Sequence, residues 1–245
     1  MANINEDAKK VQAIINKSKR IVFFSGAGVS VESGIPDFRS TNGLYNQEYK
    51  YPPEMIISHS FFVSNTEEFY RFYKKKMLIL DAKCNPCHLY LKKLEDKGKL
   101  RGIVTQNIDG LHSKAGNKEV MELHGSIHRN YCQNCMKLFD GNYILHSKDL
   151  IPHCDKCGGI IKPDVVLYEE PLNPNVMNSS LVAIREADTL IVAGTSLVVY
   201  PAAGFVSYFQ GENLIYIDVN EKARCDLATL TIHQKVGELF SLLEV

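Results

Sequence analysis

The stretch IVFFSGAGVS, residues 21–30, decides the fold class of this chain. Its first four residues, 21–24, form a continuous apolar run, which is typical of a strand buried on both faces of a parallel sheet. A glycine-rich turn follows, and it is predicted to open a helix. Glycines let the backbone of such a turn approach a pyrophosphate, and the amino end of a helix offers it free N–H groups. A tight strand-to-helix turn without a ligand has the same pattern, so both interpretations stay open here.

Patterns typical of strands and helices alternate along most of the remaining chain. Helical spacing of apolar residues predicts helices over 6–19, 67–80, 179–186 and 236–243, and another that begins at residue 88. Short apolar runs predict further strands over 103–105, 165–167, 189–193 and 214–219. This alternation predicts an α/β fold built on a doubly wound parallel sheet.

The composition is that of an ordinary globular protein, and 245 residues are enough to bury a substantial core. Basic and acidic residues number 28 each, so the net charge is zero, which argues against binding nucleic acid or an acidic membrane by bulk electrostatics. The first residues, MANINEDAKK, show no basic start followed by an apolar stretch. No apolar run approaches the roughly 18 residues of a membrane helix. We therefore expect a cytoplasmic protein that does not partner with a membrane.

Four of the seven cysteines lie in segment 127–163, which has few apolar runs and several turn residues. The pair Cys132 and Cys135 is followed, after 18 intervening residues, by the pair Cys154 and Cys157. Two such pairs predict a tetrahedral zinc site of the ribbon type, and four thiolates leave no open position, so the zinc is expected to be structural. An iron–sulfur centre is the disfavoured alternative, because the spacing matches a zinc ribbon better. A ribbon that binds nucleic acid is disfavoured by the neutral charge.

Two polar motifs precede the cysteine segment. TQNID, residues 105–109, follows a short apolar strand, and α/β proteins bind ligands at the carboxyl ends of parallel strands. A turn that caps the next helix would use the same residues. His124 stands farther along, in ELHGS. Imidazole titrates near neutral pH, so His124 is a candidate general base, although a lone histidine often has a structural role.

A third cysteine pair lies in CNPCH, residues 84–88, which matches the attachment pattern of c-type haem. We discount haem, because nothing in the sequence directs the chain to an oxidising compartment. A helix start explains the residues better, with Asn85 as the N-cap and Pro86 at the first position. Cys84, Cys87 and Cys225 are left without assigned chemistry.

Taken together, these motifs resemble the sirtuin family of NAD-dependent protein-lysine deacylases, and the compact length resembles the bacterial members. They follow the order of the family and span nearly the whole chain. The matching motifs are GAGVS at 26–30, SGIPDFR at 33–39, TQNID at 105–109, LHG at 123–125, the four cysteines, and GTSL at 194–197.

The resemblance implies a Rossmann-like large domain and a smaller domain made of two insertions. The large domain would comprise residues 1–39, 84–126 and 164–245. The insertions would be a helical and loop-rich stretch, 40–83, and the zinc ribbon, 127–163. NAD+ as co-substrate and the acylated lysine of a protein substrate should meet in the cleft between the domains.

The resemblance also implies roles for single residues. His124 would be the general base, and Asn107 would position the ribose and a water molecule. One structural zinc would bind Cys132, Cys135, Cys154 and Cys157. The implied NAD contacts are Gly26, Ala27, Val31, Phe38, Arg39, Gln106, Ile108, Asp109, Gly194, Thr195, Ser196, Asn220 and Val236.

The implied reaction removes acetyl groups from lysine and gives nicotinamide and O-acetyl-ADP-ribose. A deacylase that prefers other acyl groups and a protein ADP-ribosyltransferase are the alternatives. Members that remove succinyl groups carry Tyr-x-x-Arg, and the corresponding pair here is Tyr73 and Lys76. Lysine lacks the bidentate fork of arginine, which favours acetyl-lysine. Tyr168 and Glu169 depart from the Phe-Gly of the family and leave the peptide preference open.

Overall fold

This computed structural model describes residues 3–37, 43–44 and 49–245. The larger of its two sheets has six parallel strands. In chain order the strands of the two sheets are β1 (Ile21–Ser25), β2 (Leu100–Thr105), β3 (Val120–Glu122), β4 (Gly125–Cys132), β5 (Leu138–Phe139), β6 (Ile161–Val165), β7 (Thr189–Ala193), β8 (Asn213–Ile217) and β9 (Leu230–Ile232). The larger sheet has the order β3-β2-β1-β7-β8-β9. From β1 the chain adds β2 and β3 on one side, and it later adds β7, β8 and β9 on the other side. This reversal of direction beside β1 is typical of a doubly wound fold and confirms the predicted class.

The described α-helices are α1 (Ile4–Lys17), α2 (Pro53–Ile56), α3 (His59–Ser64), α4 (Thr66–Lys76), α5 (Pro86–Asp96), α6 (Leu111–Lys114), α7 (Gly141–Leu145), α8 (Pro174–Glu186) and α9 (Val236–Phe240). Of these, α1, α5 and α9 pack on one face of the larger sheet and α8 packs on the other. Side chains of β1 alternate between two hydrophobic clusters, with Phe23 among residues of α1, α5 and α9 and Phe24 among residues of α8. Burial on both faces explains why β1 is apolar at four successive positions.

The glycine-rich turn opens two short 3₁₀ helices, Ala27–Val29 and Val31–Ser33, so the predicted α-helix is wrong. Gly34 ends the second of them in the left-handed region, at φ 84°. Pro36 then disfavours a helical conformation at Ile35, so no helix can grow from this turn.

The apolar run at 165–167 is not a strand of the parallel sheet, which corrects a second prediction. Strand β6 ends at Val165 and pairs antiparallel with β4 in the smaller sheet, of order β5-β4-β6. Beyond it, the N–H of Val166 donates to the carbonyl of His124 at 3.0 Å, and Tyr168 forms a bridge with Ser58. A short apolar run cannot by itself distinguish these two kinds of pairing.

A second hydrophobic cluster joins the two stretches that were predicted as insertions. Phe69 and Tyr70 of α4 pack there with Ile127 and Ile161 of the smaller sheet. The hydroxyl of Tyr70 also donates to the carbonyl of Ile161. The predicted boundaries of the second insertion, at 126/127 and 163/164, fall inside β4 and β6.

The remaining predicted elements occur with small shifts at their ends. The helix predicted over 67–80 stops at Lys76, and the helix near residue 88 begins at Pro86 with Asn85 as its N-cap. The short strands β3 and β9 were not predicted. None of the described helices combines the length and apolarity that crossing a membrane requires.

Candidate active site

A cleft of about 420 Å³ lies where the carboxyl ends of β1, β2, β7 and β8 meet the loops beside β6. This volume is in the range of small-molecule sites. Twelve residues predicted for catalysis or NAD binding line it: Gly26, Ala27, Gln106, Asn107, Ile108, Asp109, His124, Gly194, Thr195, Ser196, Asn220 and Val236. The fold therefore brings together side chains that lie far apart in the sequence.

One predicted contact among the described residues is not part of this arrangement, and two others cannot be placed. Val31 lies on the second 3₁₀ helix, is 46% exposed, and is not among the described residues that line the cleft. Phe38 and Arg39 lie outside the described residues. Their roles stay predictions.

The glycines of the turn are required by a close approach between two loops. A Cβ atom on Gly28 would lie 2.7 Å from the Cα of Gly194, and one on Gly194 would lie 2.4 Å from the backbone nitrogen of Val29. The N–H of Gly28 donates to the carbonyl of Gly194 at 2.9 Å. Gly194 also has φ 60°, which disfavours any larger residue. The loops after β1 and β7 thus form a continuous floor beneath the cleft.

Asn107 is fixed at the centre of this floor. Its Nδ2 donates to the carbonyl of Gly26 and to the hydroxyl of Ser30, each at 3.1 Å, and its backbone N–H donates to Oγ1 of Thr105 at 3.0 Å. No described residue donates a hydrogen bond to its Oδ1. The carboxamide oxygen is therefore the atom that Asn107 can offer to a ligand.

Asp109 belongs to the same hydrogen-bond network as Asn107, through the hydroxyl of Ser30. One carboxylate oxygen accepts the hydroxyl of Ser30 at 2.7 Å, and the other accepts the N–H of Leu111 at 2.9 Å, which forms an Asp turn ahead of α6, whose N-cap is Gly110. Burial raises the pKa of Asp109, although the hydrogen bonds from Ser30 and Leu111 oppose that shift. The carboxylate is thus held in one orientation at the cleft wall.

His124 has a defined tautomer. Its Nδ1 lies 2.9 Å from the carbonyl oxygen of Gln106. A carbonyl can only accept, so Nδ1 carries the proton and Nε2 has a free lone pair. Burial lowers the pKa of His124, against a smaller opposing effect of the hydrogen bond to Gln106. The imidazole is therefore neutral near pH 7 and can accept a proton through Nε2.

Polar groups continue along the floor toward β8. Nε2 of Gln106 donates to Oγ1 of Thr195 at 3.0 Å and so links the loops after β2 and β7. Asp218 directly follows β8, lines the cleft, and accepts the N–H of Asn220 at 2.8 Å. Sequence reasoning missed Asp218, although its place at the carboxyl end of a parallel strand could have signalled it.

Residues 165–170 form the opposite wall of the cleft. The N–H of Ser60 and its hydroxyl both donate to the carboxylate of Glu169, at 2.8 and 2.9 Å. These bonds offset the strain of φ 76° at Glu169, in the left-handed region that favours the glycine of the family pattern. Glu170 accepts hydrogen bonds from Lys162 and Leu167. The wall is therefore a rigid edge.

Tyr73 and Lys76, the nearest match to the Tyr-x-x-Arg pattern, differ in burial. Lys76 lines the cleft, with its ammonium 5.6 Å from the ring centre of Tyr49. Tyr73 is fully buried, stacks on Phe69 at 5.7 Å, and is not among the described residues that line the cleft. The two side chains thus do not present a joint site for an acidic acyl group.

The four cysteine sulfurs all lie within 4.8 Å of one another. The sulfurs of Cys132 and Cys157 are 3.4 Å apart, and those of Cys135 and Cys154 are 3.7 Å apart. Zn–S bonds of about 2.3 Å in a tetrahedron require similar separations. In each pair a backbone N–H two residues on donates to the first sulfur, from Asn134 and from Lys156. The cluster therefore fits one zinc ion with no open position.

Comparisons with known proteins agree with this geometry. The sequence model described as the Sir2 family matches residues 26–201. An NAD-dependent protein deacetylase of Clostridium acetobutylicum is 56% identical over 232 residues, which are 94% of this chain and 95% of that protein.

Solved structures with a similar fold include a Sir2 complex with a p53 peptide and NAD+, at 37% identity and TM-score 0.84. Another is Sir2Tm bound to a propionylated peptide, at 36% identity and TM-score 0.84. Each similarity covers 95% of this chain and 95% of the compared chain. With a family match over most of its length and relatives of this identity, the chain belongs to the Sir2 family, the sirtuins.

Proposed function

We propose that this protein is an NAD-dependent protein-lysine deacetylase. The observation that carries the proposal is the meeting of His124, with Nε2 unprotonated, and the fixed side chains of Asn107 and Asp109 in one cleft. The relative from Clostridium acetobutylicum is named for the same activity. The Sir2 complexes with NAD+ and with acyl peptide support the same assignment.

The co-substrate NAD+ supplies an ADP-ribose acceptor, so that the acetyl group leaves as O-acetyl-ADP-ribose and nicotinamide is released. Nε2 of His124 takes a proton from a ribose hydroxyl. Oδ1 of Asn107 positions the ribose and a water molecule. Ile108 and Asp109 orient the nicotinamide carboxamide beside the turn.

The remaining NAD contacts follow from the places of the loops. Gly26 and Ala27 offer backbone groups at the start of the first 3₁₀ helix, which suit the pyrophosphate. Thr195, Ser196 and Asn220 line the cleft at the ends of β7 and β8, which suits the adenosine side. The linked polar groups of Gln106 and Thr195 favour a ligand that spans both halves of the floor.

Acetyl-lysine is the substrate that the geometry favours. Three apolar residues line the cleft: Ile108 beside the floor, and Val166 and Leu167 in the opposite wall. Burial of Tyr73 removes one member of the pair that would have recognised a succinyl carboxylate. A short neutral acyl group suits such a lining better than a charged one.

We assign the zinc a structural role, because four cysteine ligands leave no position for water or substrate. We also propose the domain division made from the sequence, with residues 40–83 and 127–163 in the smaller domain. The hydrophobic cluster shared by these two stretches supports it. A cytoplasmic location is proposed as well, and the three cysteines outside the zinc cluster, none of them in a disulfide, support it, since thiols persist in reducing compartments.

The test is an assay with an acetylated peptide, with and without NAD+. We expect nicotinamide and O-acetyl-ADP-ribose in equal amounts, and no product without NAD+. Release of acetate without NAD+, or no release with it, contradicts the proposal. Transfer of labelled ADP-ribose to protein in excess of deacetylation would favour the alternative, an ADP-ribosyltransferase.

A further inference from the structure

Two buried histidines lie next to each other behind the cleft. His88 is 0% and His112 is 2% exposed, and their ring centres are 4.8 Å apart with the planes inclined at 54°. Within the part of the chain that the structure describes, Nε2 of His88 and Nδ1 of His112 have no hydrogen-bond partner. Buried polar atoms are seldom left unpaired, so this pair requires an explanation.

The hydrogen bonds around His112 define its tautomer. Its Nε2 lies 3.0 Å from Oγ of Ser25, and that hydroxyl donates its single proton to Oγ1 of Thr105 at 2.8 Å. Ser25 can therefore only accept from the imidazole, so Nε2 of His112 carries the proton. The unpartnered Nδ1 is an acceptor.

In His88 the unpartnered nitrogen has the opposite character, because it is a donor. The backbone N–H of Asn85 donates to its Nδ1 at 3.2 Å, within the capping box of α5. The neutral ring then carries its proton on Nε2, so the unpartnered atom is a donor. Burial lowers the pKa of His88 to about 4, and burial followed by the nearby His88 lowers that of His112 well below its usual range. Both rings are therefore neutral near pH 7.

We propose that Nε2–H of His88 donates to Nδ1 of His112, directly or through one water, and that the pair positions the catalytic turn. The rings are close enough for either arrangement. From His112 the series continues through Ser25 to Oγ1 of Thr105, which also accepts the N–H of Asn107. The histidine pair thus acts on the backbone of Asn107 through the hydroxyls of Ser25 and Thr105.

The other end of the series reaches the glycine-rich turn. Nδ2 of Asn85 donates to the carbonyl of Val29 at 2.7 Å and to the hydroxyl of Ser33 at 3.1 Å. The loops after β1 and β2 are thereby tied together from behind. This inference rests on the proposed function only for its effect on turnover, since the tautomers can be measured without any substrate.

The first experiment reads the tautomers of the unmodified protein by ¹⁵N NMR of its labelled histidine rings at pH 7. The two ring signals are assigned in the unmodified protein by correlation with its assigned backbone. We expect the proton on Nε2 in both His88 and His112. A proton on Nδ1 of either ring, or a doubly protonated ring, overturns the proposal even if no variant folds.

The second experiment measures kinetics in variants that separate the hydrogen bonds. His112→Gln keeps a donor for Ser25, whereas His112→Phe keeps the ring volume without it. His88→Asn keeps an acceptor for the cap of α5 but removes the donor to His112. We expect kcat/KM for NAD+ to fall about tenfold in His112→Phe and in His88→Asn and by less than about threefold in His112→Gln.

Thr189→Val is the matched control, because Thr189 and Ser18 form a buried hydroxyl pair, 2.7 Å apart, at the opposite end of the sheet. It should lower the melting temperature without changing kcat/KM. KM for the peptide should stay constant in every variant. Equal losses in His112→Phe and His112→Gln, or a kinetic loss in Thr189→Val, would show a merely structural role. If the unmodified protein lacked NAD-dependent activity, the proposed function would fail while the tautomer result remained valid.

Discussion

The proton on Nδ1 of His124 is donated to the backbone carbonyl of Gln106, 2.9 Å away, on the loop that also carries Asn107. This bond fixes both the tautomer and the direction of the ring. Because the carbonyl belongs to the floor of the cleft, the base and the residues that would surround the ribose are positioned by one loop.

Replacing His124 with alanine should reduce kcat about 100-fold or more, because a positioned general base contributes at least that much. The zinc content should stay unchanged and the melting temperature should change little, since His124 belongs neither to the cysteine cluster nor to the buried hydrophobic clusters. His146→Ala, at an exposed histidine, is the control for preparation. Turnover of His124→Ala within tenfold of the unmodified protein would show that another group is the base.

The pH profile should report the lowered pKa of His124. Only the neutral imidazole accepts a proton, so kcat/KM falls as the pH decreases through that pKa. Burial lowers the pKa, so the acid limb should lie below the usual value of about 6.5. Initial rates measured from pH 5 to pH 8 test this, and an acid limb centred above pH 7 would contradict it.

Metal analysis should give about one zinc per chain. Cys154→Ala should lose the zinc and unfold at a lower temperature, because the ion joins the two cysteine pairs of the smaller sheet. Cys84→Ala should keep the zinc, since Cys84 lies outside the cluster. Two zinc ions per chain, or zinc loss in Cys84→Ala, would show that the pair at residues 84 and 87 binds metal after all.

The floor of the cleft should be intolerant of a single methyl group. Gly194→Ala combines a left-handed φ with a contact of 2.4 Å to the nitrogen of Val29, and we expect a loss of about 3 kcal/mol or more in unfolding free energy. Gly98 has a similar φ of 70° but open space, so Gly98→Ala should cost about 1 kcal/mol. Urea denaturation compares them, and equal losses would show that the loop contact adds nothing.

A panel of acetyl, propionyl and succinyl peptides should show the acetyl peptide turned over at least about tenfold faster than the succinyl peptide, since no bidentate partner for a carboxylate exists at the described cleft wall. Tyr73→Phe should leave this ratio unchanged. It should also not lower the stability, because it removes a buried hydroxyl that has no partner among the described residues. A selective loss of desuccinylation in Tyr73→Phe would show that the hydroxyl reaches the acyl group.

Local patterns predicted the fold well wherever burial was uniform. β1 and β7 were recognisable because both of their faces are covered, which makes four successive positions apolar in each strand. β3 and β9 have only three residues each, too few for any period to appear. The run at 165–167 was misassigned because its pairing with β4 depends on residues far away in the sequence.

The residues of the candidate site were also predictable only where the local sequence identified them. Asn107, Asp109 and His124 were found because each stands in a distinctive motif beside a strand. The burial of Tyr73 beside a Lys76 that lines the cleft could not be foreseen, since it depends on which face of α4 packs into the aromatic cluster. His88 and His112 had no signal as a pair, because their proximity arises only when α5 packs beside α6.

Gly125 and Val165 are direct partners in the register of β4 and β6. The chain therefore leaves the neighbourhood of the cleft and returns to it at almost the same point. In engineering terms, everything between these two residues is a cassette with adjacent ends. A ribbon of different length or sequence grafted there would have to keep the pairing of the two ends and also Ile127 and His128, which donate hydrogen bonds to the carbonyls of Ile108 and Asp109 at the cleft.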